Sequence, residues 1–157
     1  MAGMTLWIDS REKPRAITRI LAEFDRQGIR YFVSKLPVGD YMSLDNAKLV
    51  IDRKQNLQEL CGNVIQQRSR FVAELERAKR FGIKLIFLCE HGYGIKTMSD
   101  VMRWENPRLK ESPLAVSGER LFKILTALSV KYDVDFLFCE KRDTGKRIIE
   151  ILNGAEK

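Results

Sequence analysis

The chain has 157 residues, with 28 Lys and Arg against 21 Asp and Glu and a formal charge of +7. A 45% hydrophobic content with scattered aromatics points to a single domain with a real core and excludes a disordered chain or a string of modules. No apolar run approaches the roughly 18 residues of a membrane span, and no basic segment followed by an apolar one marks a secretory signal. Cys61, Cys89 and Cys139 are odd in number and form no CxxC pair, so buried reduced thiols of a cytoplasmic protein are expected rather than disulfides or zinc. The positive charge suits a polyanion such as nucleic acid.

Met4 to Asp9 alternates as a first strand. Pro14 suits the first turn of a helix, Ile17, Ile20, Leu21 and Phe24 recur at helical spacing, and Gly28 ends the run. Ile29 to Leu36 reads as a second strand, and Tyr41–Leu44 and Lys48–Asp52 as a hairpin turning on Asp45-Asn46. Leu57 to Arg80 is a long helical stretch with a possible break near Gly62 and with Phe71, Leu75 and Ala78 on one face. Ile83 to Cys89 is apolar throughout, as expected of a strand covered on both faces. An irregular segment, Glu90 to Ser117, holds a short helix at Met98–Trp104. Leu121, Ile124, Leu125 and Leu128 mark a helix from Gly118 to Lys131, Asp133–Cys139 a last strand, and Thr144–Leu152 a closing helix. This order predicts one α/β domain with a central mixed sheet flanked by helices.

Acidic residues fall where strands begin or end. Asp9 closes the first strand and Glu12 follows three residues later; Asp40 opens the hairpin; Asp52 and Lys54 end its return strand. Two-residue periodicity puts Asp52 and Lys54 on one face and Arg53 on the other, and the hairpin can bring Asp40 alongside Asp52. Carboxylates gathered at one edge repel by about 1–4 kcal/mol per pair at ~4 Å, and a divalent cation removes that conflict. Oxygen donors without His or Cys favour Mg²⁺ or Mn²⁺ over zinc. A lysine beside such an ion suits hydrolysis of a phosphodiester.

Asp9-Ser10-Arg11-Glu12, Leu36-Pro37-Val38-Gly39-Asp40-Tyr41 and Val50-Ile51-Asp52-Arg53-Lys54 resemble the successive signatures of the XPF-type nuclease domain, of the PD-(D/E)XK superfamily. Arg70-Phe71, Glu74-Leu75, the strand ending in Glu90 and the closing region from Gly118 to Leu152 extend the resemblance over nearly the whole chain. It implies a restriction-endonuclease-like domain over residues 1–157, with no helix-hairpin-helix module, as in small phage or bacterial members, and a place in the cytoplasm of a bacterial or phage-infected cell. It also implies a structure-specific endonuclease acting on branched, flapped or junction DNA and dimerising through its terminal helix-strand-helix region.

Carried over position by position, Asp9, Glu12, Asp40, Asp52, Arg53 and Lys54 are the catalytic candidates. Asp40 and Asp52 lead the metal ligands, supported by Asp9 and Glu12, with Mg²⁺ or Mn²⁺ as cofactor. Arg11, Arg53, Arg68 and Arg70 are the expected DNA contacts, Arg53 serving either a phosphate or the site's own carboxylates. Two positions depart from the family pattern. Asp52 stands where the motif has Glu, and a later acid falls on Gln58 by strict count or on Glu59 if Leu60 keeps register. The shorter acid leaves open a catalytically inactive DNA-binding or dimerisation subunit of the same fold.

Other features carry less. Lys141, Arg142, Lys146 and Arg147 form a second basic cluster on or near the last helix. Glu90 either faces the site or caps the following loop, His91 reads as a loop histidine, and Trp104, Asn106 and Pro107 as a flap or a dimer edge. No GxxxxGK[ST] occurs, so no nucleotide cofactor is expected.

Overall fold

The computed structural model describes residues 3–154. Along them run β1 (Thr5–Asp9), α1 (Thr18–Arg26), β2 (Arg30–Ser34), β3 (Tyr41–Ser43), β4 (Asn46–Lys54), α2 (Leu57–Ile65), α3 (Arg68–Arg80), β5 (Lys84–Glu90), α4 (Gly118–Tyr132), β6 (Asp135–Cys139) and α5 (Thr144–Leu152). Short 3₁₀ turns precede α1 and α5, and two more, Met98–Arg103 and Pro107–Lys110, shape the irregular segment. None of the described helices is long and apolar enough to cross a membrane.

The strands form one sheet in the order β2-β1-β3-β4-β5-β6. β1 pairs with β2, β4 with β5 and β5 with β6 in parallel, whereas β3 is antiparallel to both β1 and β4. Five strands therefore point one way, and their C-terminal ends share an edge with the N-terminal end of β3. That edge is where the acidic residues lie.

Helices cover both faces, giving the three-layer α/β domain that the element order predicts. Leu6, Ile8, Tyr41, Ile51, Ile86 and Leu88 pack with α1 and α5, while Val50, Leu85, Phe87 and Phe136 pack with α2, α3 and α4. β5 is buried on both sides from Leu85 to Glu90, which accounts for its unbroken apolar run. Phe71, Phe87 and Phe136 stack in a row, with centroids 5.0 and 5.1 Å apart.

The hairpin and the long helix differ from the sequence reading. The hairpin turns on Leu44-Asp45, because the Ser43 hydroxyl accepts the Asp45 N–H and Asn46 already pairs across to Ser43. The long helix breaks at Gln66-Gln67 rather than at Gly62. The N–H groups of both glutamines turn back to the Gly62 carbonyl, so the axis changes direction and both apolar stripes, Leu57/Leu60/Val64 and Phe71/Leu75/Ala78, reach the core.

Candidate active site

The convergence of the acids follows from strand register. Tyr41 stands opposite Ile51, so Asp40 falls opposite Asp52, on the same face. The Asp9 N–H donates to the Asp40 carbonyl and the Asp40 N–H to the Ile51 carbonyl, both at 2.8 Å, locking β1, β3 and β4 together at this edge. Gly39 lets the chain enter β3 at such close range. Its φ is +69°, and a β-carbon there would lie 2.4 Å from Val50 Cγ1 and 3.1 Å from the Ile51 carbonyl. Any substitution at Gly39 would thus move Asp40.

β4 divides the charged groups between its two faces. At the strand edge a cleft of about 520 Å³ is lined by Asp9, Glu12, Asp40, Asp52, Arg53, Lys54 and Glu74, together with the exposed Arg11 and Arg70. Lys54 Nζ stands 3.3 Å from Asp52 Oδ1 and lies over the Phe71 and Phe87 rings, 5.9 and 5.8 Å from their centroids. Burial works to lower the Lys54 pKa, but Asp52, Glu74, Glu59 and Asp40 outweigh it and raise it, so the amine stays charged.

Two carboxyls in this cleft hold protons unusually tightly. Burial, then the charges of Asp52 and Glu12, push Asp40 well above the ordinary carboxylate range, although the Arg53 N–H donates to its Oδ2 at 2.7 Å. Burial and a hydrogen bond with Asp52 push Glu74 up to about 8. Glu74 therefore favours its protonated form beside Asp52 at neutral pH.

On the α1/α5 side Arg53 forms a clamp. Its Nε and Nη2 donate to both oxygens of Glu12 at 2.7 and 3.1 Å, and its Nη1 to Glu90 Oε1 at 2.6 Å. Tyr41 Oη donates to Glu12 at 2.6 Å and Thr144 Oγ1 to Glu90 at 2.5 Å. The three charged side chains are 5%, 9% and 2% exposed, and Arg53 and Glu12 also line the carboxylate cleft. Of its two expected roles, a phosphate contact or a tie between the site's carboxylates, the second is the one its side-chain hydrogen bonds form here.

The two supporting acids, Asp9 and Glu12, line the cleft and are each held by a cation of the protein. Asp9 accepts from the Arg11 N–H, Nε and Nη2 and from the Leu36 N–H. Burial alone would raise its pKa, but Arg11 and Leu36 outweigh that and hold it below the usual range. Asp9 thus anchors Arg11, and Glu12 belongs to the clamp; both have partners already. Arg70 lines the cleft, whereas Arg68 is exposed and does not. Of the two alternatives for the later acid, Glu59 borders the cleft and Gln58 does not, and Glu59 accepts the Gln55 N–H at 2.7 Å.

Glu74 is the member that residue-type reasoning missed. It sits one helical turn beyond Arg70 on α3, so i, i+4 spacing toward the strand carrying Asp52 was its available signal. Glu90 neither enters the cleft nor caps the loop.

His91 has a structural task. Its Nδ1 accepts the Leu57 N–H at 3.0 Å at the start of α2 and so must be unprotonated there, and burial lowers its pKa below 6.5. Its contribution to stability is complete above pH ~6.5 and disappears as pH falls through the lower folded-state value. Urea unfolding of His91→Gln should therefore be less sensitive than the wild type to acidification from pH 7 to 5; equal sensitivity would exclude this role.

A mixed sheet between two helical layers, with carboxylates and a lysine on one face of the edge, is the nuclease-type α/β arrangement expected from the motifs. The ERCC4 domain model matches residues 8–152, and the chain belongs to that family, the family of XPF-type nucleases. Among solved structures, XPF from Aeropyrum pernix superposes with a TM-score of 0.67 at 15% identity, covering 98% of this chain and 65% of that one. XPF from Aeropyrum pernix in complex with DNA gives 0.68 at 15% identity, covering 97% and 64%. The chain spans just under two thirds of the length of those structures, and the likeness shows the shared fold. A search of curated protein sequences found no significant match.

Proposed function

We propose that this chain is a divalent-metal-dependent endonuclease that hydrolyses phosphodiester bonds in branched, flapped or junction DNA. The observation that carries the reading is Asp40 opposite Asp52 on one face, with Lys54 and Glu74 beside them. Neither His nor Cys lines the cleft, and the hard oxygen donors fit Mg²⁺ or Mn²⁺. Among the described residues no three acidic, His or Cys groups form a ready-made ligand sphere. Mg²⁺ is commonly held by one or two carboxylates completed by water and substrate phosphate, which suits Asp40 and Asp52.

When bound, the ion would polarise the phosphoryl oxygen and acidify the attacking water. Lys54 faces the charge that develops on the phosphorus, fixed by its aromatic seat. Arg70 and Arg11, exposed where they line the cleft, meet flanking phosphates and confer affinity without sequence readout. Glu74, beside Asp52, can hold or release a proton near neutral pH. DNA is the partner of this reading, and α4, β6 and α5 are the surface on which a homodimer would form.

The test is a cleavage panel over flaps, forks, four-way junctions, duplex and single strands with Mg²⁺ or Mn²⁺, together with thermal melts. Glu74 binds a proton in the folded state up to about pH 8, against 4.5 ordinarily. In the metal-free protein the stability from this group is complete below pH ~4.5 and declines as pH rises towards 8. A cation competes with that proton. Mn²⁺ should therefore raise Tm more at pH 8.5 than at pH 6, and Glu74→Gln should flatten the difference. A pH-independent shift, or none, would favour the inactive DNA-binding subunit that the short acid Asp52 leaves in play.

A further inference from the structure

A second cleft, of about 630 Å³, opens on the same sheet edge, between the loop after β5 and the segment around Trp104. Gln55 borders both this cleft and the carboxylate cleft, so the two adjoin. Its wall carries an unusual aromatic row. Tyr93 is 94% exposed, and its ring meets the edge of His91 at 5.6 Å; His91 in turn meets Trp104 edge-on at 6.2 Å.

The backbone holds Tyr93 outward. Gly92, Tyr93 and Gly94 all take positive φ, at +70°, +54° and +82°, and the Ile95 N–H donates back to the Gly92 carbonyl at 3.0 Å to close the turn. A residue with a β-carbon disfavours this region, so a bulky aromatic stands here against local preference. Nothing in the fold requires it, because its ring buries almost no surface.

The charges near the row favour an anion. Lys141 lines the cleft with no ion-pair partner among the described residues, and Arg103 lines it while pairing with Asp100. Glu90 is neutralised by the Arg53 clamp. Glu105 is the one uncompensated acid of this wall among the described residues, and it is exposed.

We propose that this cleft is a subsite for unpaired DNA. A base of a single-stranded arm leaving the carboxylate cleft stacks on Tyr93, and its phosphates meet Lys141 and Arg103. A planar ring with free faces beside cations is how proteins hold unstacked bases, whereas bases within a duplex are already stacked and out of reach. The proposal rests on the nuclease reading for its ligand and adds the part of a branched substrate that this face selects.

The test measures binding in EDTA, where no cleavage occurs, so it is separable from catalysis. Fluorescence anisotropy would compare a splayed-arm fork, a single strand and a blunt duplex on the wild type, Tyr93→Ala and Tyr93→Phe. Loss of one stack should weaken fork and single-strand binding by about tenfold while duplex affinity changes less than twofold, with Tyr93→Phe restoring the wild-type values. A 2-aminopurine in the fork arm should be quenched on binding by the wild type and less so by Tyr93→Ala. Equal losses on fork and duplex, no loss at all, no restoration by Phe, or no DNA binding by the wild type would each overturn the subsite. A protein that binds in this pattern yet never cleaves would sink the nuclease reading and leave the subsite standing.

Discussion

Lys54→Met should lower the rate of DNA cleavage by about 10²–10³-fold, the usual effect of removing one positioned charge from a developing oxyanion. Methionine keeps the stem that packs over Phe71 and Phe87, so circular dichroism and junction affinity should stay within about twofold. The large expected loss comes from placement. The ammonium is 3.3 Å from Asp52 and 13% exposed, in a setting where a charge acts through little intervening water. The surrounding acids also keep it protonated above its ordinary value, so it cannot serve as a base at neutral pH. Cleavage by Lys54→Met at more than a third of the wild-type rate would remove Lys54 from the chemistry and favour a water-only role for the metal.

Arg53→Ala should act on stability. It leaves Glu12 and Glu90 buried and facing each other without their shared cation, a change that costs about 3–5 kcal/mol. For a domain of this size that is a fall in Tm of roughly 6–20 °C. Arg53→Lys should recover only part, because a point charge cannot grip both Glu12 oxygens and Glu90 at once. Neutralising the acids in the same protein, as Arg53→Met with Glu12→Gln and Glu90→Gln, should regain much of the loss. A Tm within 2 °C of wild type for Arg53→Ala would mean that the clamp is worth no more than a surface ion pair.

The sheet and its helices were legible because apolar residues recur with two clean periods. β5 reads as a strand buried on both faces, expected over Ile83–Cys89 and found one residue later, and the closing helix Thr144–Leu152 has the bounds observed. The hairpin turn and the break in the long helix were misplaced by one to a few residues, since a serine hydroxyl and a doubled backbone hydrogen bond decide them and neither has periodicity. At the site, Asp52 and Lys54 were placed on one face and Arg53 on the other by alternation alone. The sharing of acids between the two faces was not readable. Asp9 and Glu12 look alike in the sequence, and only the tertiary contacts with Leu36, Tyr41 and Arg53 show that both are already engaged. Glu74 was hidden for the converse reason: it lies far along the chain from Asp52, and the bend between α2 and α3 aims it at the strand.

The clamp also ties distant parts of the polypeptide into a single event. Arg53 needs Glu12 from the segment after β1 and Glu90 from the end of β5, and Glu90 needs Thr144 at the start of α5. A ribosome must therefore deliver α5 before the groups beneath the carboxylate cleft are fully partnered. During synthesis, a nascent chain that stops short of Thr144 would leave Glu90 without its hydroxyl partner, so the sheet edge matures only once α5 has been made.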